Sequence, residues 1–117
     1  MRKIYYLSTC DTCKRIMKEL KLEGFEKQDI KTESITEEQL GQMRALAGSY
    51  EALFSKRARK YKALGIKDKN LTEDDYKQYI LSDYTFLKRP VIIVDDTIFV
   101  GNSPKTLEAA KKLINEK

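Results

Sequence analysis

The chain has 117 residues, of which 41% are hydrophobic and 35% charged, material for one core and too apolar a composition for a disordered chain. It contains no histidine and two cysteines, which excludes Ser-His-Asp and Cys-His catalysis and any His-based metal site, and two cysteines alone cannot close a four-ligand zinc centre. The net charge of +5 is interspersed in both signs, which suits a small anion or an acidic protein surface better than direct contact with nucleic acid.

The N-terminal apolar run at residues 4–7 is shorter than a signal-peptide core, and no run approaches the roughly 18–20 residues of a membrane span. A soluble, cytoplasmic protein without membrane contact is expected. Residues 4–7, Ile-Tyr-Tyr-Leu, predict a buried strand. Ser8-Thr9-Cys10 breaks that run, and Cys13, Ile16, Met17 and Leu20 then mark one face of a helix. Gly24 is expected to end this helix as a left-handed cap, and residues 25–30 predict a second strand.

The middle of the chain is helical. Thr36-Glu37-Glu38-Gln39 has the form of a capping box, followed on one face by Leu40, Met43 and Ala47. After Gly48 come a short helical stretch at residues 50–54, a basic run and Gly65. A further helix opens at Thr72 with acidic residues in its first turn, opposing the helix dipole, and Tyr76, Tyr79 and Ile80 on its inner face. The period then changes. Pro90-Val91-Ile92-Ile93-Val94 predicts a strand buried on both faces, Asp95-Asp96 the turn, and residues 97–100 the returning strand of a hairpin. Ser103 caps a last helix with Pro104 in its first position and Leu107, Ala110 and Ile114 as its buried stripe. A β-α-β unit and a β-β-α unit together make a short mixed sheet covered by helices.

Chemistry concentrates at Cys10-Asp11-Thr12-Cys13, where the first strand hands over to the first helix. The open N–H groups and dipole of a helix N-terminus favour a thiolate, and such positions lower a thiol pKa. Lys14 and Arg15 are expected to add positive charge, with Asp11 opposing. Cys13 shares the apolar stripe, so Cys10 is the candidate nucleophile, while Cys13 is either a resolving thiol or a small core residue. Arg89 precedes a proline and so is held out of a helical conformation, and a guanidinium there suits a tetrahedral oxyanion. On the residues alone, an ordinary surface arginine at a strand start is the plainer reading. Lys56, Arg57, Arg59, Lys60 and Lys62 form a basic run, either a solvated helix face, an anion wall or a docking surface for an acidic partner.

Three landmarks occur together: Cys10-Asp11-Thr12-Cys13-Lys14 after the first strand, Ala52-Leu53-Phe54-Ser55-Lys56-Arg57 before Tyr61-x-x-Leu64-Gly65, and Arg89-Pro90-Val91-Ile92-Ile93. In their order and spacing the chain resembles the arsenate reductase-like (ArsC) proteins, which include the Spx-type redox regulators. The resemblance implies an α/β, thioredoxin-like fold: a mixed four-stranded sheet flanked by helices, one domain over residues 1–117 with a helical insertion at about 33–87. It implies that Cys10 attacks an oxyanion or a disulfide, that Arg89 binds the oxyanion, and that Pro90 is cis beside the thiol. No bound cofactor or metal is implied. Glutathione with glutaredoxin, or thioredoxin, would supply the external thiol.

Two positions depart from the reductases that act on arsenate. Their further oxyanion arginines align near Ser55 and Asn102, leaving Arg57 or Arg59 as candidate substitutes. They also lack a cysteine at the position of Cys13. The Cys10/Cys13 pair resembles the Spx branch, in which a disulfide acts as a switch and the protein docks on the α subunit of RNA polymerase. Gly48 lies near the glycine that Spx proteins use for that contact. The resemblance thus carries two functions, a thiol oxidoreductase and a redox-sensing transcriptional regulator.

Overall fold

A computed structural model describes residues 2–57, 59–63, 65 and 69–116, with the backbone alone for Arg59, Lys60 and Glu116. The elements run β1 (Arg2–Tyr6), α1 (Asp11–Glu19), β2 (Glu26–Asp29), α2 (Glu37–Ala47), α3 (Arg59–Ala63), α4 (Glu73–Ser82), β3 (Val91–Val94), β4 (Thr97–Val100) and α5 (Pro104–Glu116). Single 3-10 turns lie at Glu51–Leu53 and Tyr84–Phe86. None of the described helices is long and apolar enough to cross a membrane. The chain divides into two compact units. One combines Met1–Ser34 with Arg89–Lys117, and the other is Ile35–Lys88.

The first unit is the mixed four-stranded sheet of a thioredoxin-like fold, in the order β2-β1-β3-β4. β1 and β2 run parallel, joined by α1, while β3 is antiparallel to both β1 and β4. Strand alternation sends Ile4, Ile92 and Val94 to one face, where they meet Ile16 of α1, Leu20 just after it, and Ala110 and Ile114 of α5. Each large side chain buried there contributes about 1.5–3 kcal/mol, more than any single cap. The core therefore decides where α1 and α5 lie. β3 is buried along its whole length, as an unbroken β-branched run requires.

Local chemistry sets the ends. Thr36 and Gln39 close a capping box, and Thr72 and Asp75 close a second. Ser103 accepts the N–H of Thr106 at 3.2 Å ahead of Pro104. Gly24 does not cap α1. The helix ends at Leu20, whose extended backbone drops its side chain into the core. Gly24 instead has φ +81° in the turn that the bond from Phe25 N–H to Leu22 carbonyl closes at 3.0 Å, a conformation that favours glycine. β1 also stops one residue short of Leu7, because the Leu7 carbonyl accepts the Cys10 N–H at 3.0 Å.

Lys3, outside the expected strand, is buried in β1. Its ammonium meets Glu26 at 3.4 Å and stands 4.8 Å over the Tyr5 ring. Burial and the Glu26 charge push the Tyr5 hydroxyl up to about 12, so it stays neutral at working pH. In the second unit, Phe54 packs among the rings of Tyr61, Tyr76, Tyr79 and Phe86. Glu73 accepts the N–H groups of Tyr50 and Glu51 at 2.7 and 3.1 Å, and Glu51 accepts the Tyr76 hydroxyl at 3.2 Å. The tyrosines on α4 thus serve packing. Gly48 is the left-handed C-cap of α2 with φ +98°, a sufficient reason for glycine there.

Ile16→Ala is expected to cost about 2–5 kcal/mol of unfolding free energy, and Thr97→Ala, on the exposed start of β4, no more than about 0.5 kcal/mol. Urea unfolding of both variants checks this, and similar losses would contradict the core as described.

Candidate functional site

Cys10 is the N-cap residue of α1, with extended backbone and half-buried side chain. It reaches that position because the chain leaves β1 at Tyr6 and turns through the Leu7–Cys10 hydrogen bond before α1 begins at Asp11. An N-cap side chain faces the unpaired N–H groups of the first helical turn. The N–H groups of Thr12 and Cys13 favour a charged Cys10 sulfur without closing a side-chain cap hydrogen bond on it.

Both cysteines are free thiols and come within 3.7 Å of each other. Cys13 is fully buried on the stripe that also carries Ile16. Burial raises the pKa of the Cys10 thiol, but hydrogen bonds outweigh it, and its net direction is below the ordinary value. They come from the Cys13 N–H, the Cys13 thiol and the Thr12 N–H, and the Arg89 charge adds to them. Cys13 moves the other way, pushed up to about 11. Its burial is the chief cause, and the negative charge of Cys10 and the hydrogen bond to it add to the rise, against the Leu7 N–H and Arg89. The opposed directions make Cys10 the more acidic thiol of the pair and Cys13 the less acidic one.

Arg89 ends the loop before β3, half-buried, and the peptide bond joining it to buried Pro90 is cis. Its charge acts on both thiols, and Cys10, Cys13, Arg89 and Pro90 all lie in the first unit. Lys14 and Arg15, expected to supply the positive charge, have exposed side chains, as does Asp11. Successive helical positions diverge by about a third of a turn, and burying Cys13 turns these neighbours toward solvent. Arg57 is exposed and belongs to the second unit. The side chains of Arg59 and Lys60, and Leu64, lie outside the described residues. Ser55 is half-buried and Asn102 exposed.

Asp29, at the end of β2, escapes a reading of motifs. It accepts the backbone N–H of Ser8 at 3.4 Å and that of Lys31 at 3.1 Å, and the Ser8 hydroxyl is the chief cause of its lowered pKa. With the folded value below the unfolded one, its stabilising effect is present above about pH 4 and fades as pH falls through the folded value. The only local signal was an aspartate at a strand end. Among the described residues, no cluster of three or more Cys, Asp or Glu side chains is placed to hold a metal ion.

A model of the ArsC family matches residues 5–110. Among solved structures, a Staphylococcus aureus protein is 29% identical with a TM-score of 0.75, covering 93% of this chain and 97% of that one. An arsenate reductase (ArsC) related protein from Brucella melitensis is 25% identical with a TM-score of 0.71, covering 92% of each. The arsenate reductase from Vibrio cholerae, 20% identical, shares the fold with a TM-score of 0.74 over 92% of this chain and 95% of its own. No curated protein matches the chain in sequence.

Iodoacetamide alkylation followed by peptide mass analysis tests the asymmetry of the thiols. Cys10 is expected to react with a midpoint below that of a free thiol, and Cys13 to stay unmodified at neutral pH. Cys13→Ala and Arg89→Gln should each slow Cys10 at pH 7 by roughly three- to tenfold, with Cys13→Ser, which keeps a hydroxyl donor, slowing it less. Preferential labelling of Cys13 would contradict the assignment.

Proposed function

This chain belongs to the ArsC family, and from that membership and its paired thiols we propose a thiol-dependent oxidoreductase with Cys10 as nucleophile. The observation that carries the reading is the geometry of the pair, Cys10 half-buried at the N-cap of α1 with the fully buried Cys13 3.7 Å away, and the opposed directions of the two thiol pKa values agree with it. A half-exposed thiol of lowered pKa, under the influence of a guanidinium charge, is equipped to attack an electrophilic oxyanion or a disulfide.

With arsenate, the Cys10 thiolate would form a sulfur–arsenic bond as an arsenate oxygen leaves as water, taking protons from solvent. Arg89 would hold the remaining oxyanion charge through paired hydrogen bonds. A second thiol, either glutathione or Cys13, then attacks. The two sulfurs join as a disulfide, and the two electrons they give up reduce arsenic from the +5 to the +3 state, released as arsenite. Glutaredoxin or thioredoxin would return that disulfide to thiols by exchange. With a disulfide substrate the first step is a mixed disulfide with Cys10, resolved in the same way.

A second reading, an Spx-type regulator docking on the RNA polymerase α subunit, is favoured by the 3.7 Å approach of Cys10 and Cys13, which suits a reversible disulfide. Ser55 and Asn102 standing where the reductases have arginines favours it as well.

NADPH consumption with arsenate, glutathione and glutaredoxin, and then with thioredoxin, tests the enzyme reading. Cys10→Ser is expected to cut turnover at least about a thousandfold, and Cys13→Ser to leave much of it where an external thiol resolves the intermediate. Absence of turnover with either donor, by folded protein, would reject arsenate reduction. Capture of the α subunit that depends on oxidation, and that either serine variant abolishes, would then establish the regulator.

A further inference from the structure

We propose that Asp29 is a positioning residue for Cys10, fixing the loop between β1 and α1 so that the Cys10 sulfur stays on the open N–H groups of the helix. The proposal rests on Cys10 being the reactive thiol, as above. Its basis is the register of the parallel strands. Tyr6 pairs with Asp29, so the last residue of β1 stands beside the last residue of β2, and the Ile30 N–H donates to the Tyr6 carbonyl at 2.9 Å. The two chains leave the sheet together, one into the thiol loop and the other into the turn at residues 30–33.

Asp29 ties these departures to each other. One carboxylate oxygen accepts Ser8 N–H from the thiol loop and Lys31 N–H from its own turn, the Ser8 side chain also favours the ionised carboxylate, and the Thr32 hydroxyl donates to the Asp29 backbone carbonyl at 3.4 Å. An ionised carboxylate has about four acceptor sites and no donor, and it makes stronger bonds than a neutral oxygen. A single aspartate is therefore matched to several converging donors.

Ser8 lies two residues before Cys10, inside a turn that the Cys10 N–H closes onto Leu7. A displacement of Ser8 has little chain in which to dissipate. The effect of the helix N-terminus on an N-cap sulfur falls off within the first turn, so loosening the loop weakens it. The groups facing Cys10 are the N–H groups and thiol of α1 and Arg89 ahead of β3. Asp29 acts on it through Ser8.

The test is the pH profile of Cys10 alkylation by iodoacetamide, which needs neither arsenate nor an electron donor. Failure of the enzyme reading therefore leaves it intact. Asp29→Ala is expected to raise the Cys10 midpoint and slow labelling at pH 7 by roughly three- to tenfold, while Asp29→Asn, which keeps an acceptor oxygen, stays within about twofold of the parent. A merely destabilising loss would lower the melting temperature without moving the midpoint. An unmoved or lowered midpoint in folded Asp29→Ala, or an equal rise in Asp29→Asn, would overturn the proposal. Should Asp29→Ala not fold, Ser8→Ala decides: a slowing of about two- to threefold supports the assignment, and an unchanged profile overturns it.

Discussion

The placement of one sulfur at the start of α1 is the constraint around which the first unit is organised. A carboxylate in the same place would be charged without help. A thiol needs its environment to supply the difference. Here the backbone supplies much of it, through the N–H groups of Thr12 and Cys13, which are unpaired because a helix begins there. Those groups come into reach because β1 ends at Tyr6 and the turn through Leu7 brings Cys10 to the cap. The sheet that fixes the end of β1 depends in turn on the core beneath it, where Ile4 and Ile92 meet α1 and α5. Packing, topology and thiol chemistry form one chain of causes.

The parts legible in the sequence depend on neighbours along the chain. The stripe Cys13, Ile16 and Leu20 is visible because helical spacing is local, and Thr36-x-x-Gln39 and Ser103-Pro104 are visible because caps are built within four residues. The β-branched run before Asp95 could only be a buried strand. Cys10-x-x-Cys13 at a strand-to-helix junction likewise contained the cap geometry in its spacing.

The parts that were not legible arise between distant segments. Asp29 meets Ser8 across 21 positions, and no local pattern records that pairing. Arg89 is remote from α1 in sequence, yet it supplies the charge that Lys14 and Arg15 were expected to bring. Gly24 was assigned to a helix end because glycine often ends helices, but the need to bury Leu20 stopped α1 first. Lys3 lies ahead of the residues 4–7 that predict the first strand. Its place in the sheet follows from pairing with Glu26 and Ile93, which only the assembled register reveals.

The asymmetry of the two thiols also gives the proposed chemistry an order. While Cys10 is ionised, its charge and its hydrogen bond both hold the proton on Cys13, so Cys13 does not compete as a nucleophile. Once Cys10 forms a bond to arsenic or to another sulfur, its charge is gone, and both of those influences vanish. Burial still opposes ionisation of Cys13, but the Leu7 N–H and the Arg89 charge, which favour it, then act with less against them. In the proposed reaction, the Cys13 thiol would then become more acidic at the stage when a second thiolate is required. Reduction of the substrate and closure of a Cys10–Cys13 disulfide would therefore begin with the same step. In that sense an oxidoreductase and a redox switch are two outcomes of one arrangement, separated by whether an external thiol reaches the Cys10 adduct before Cys13 does.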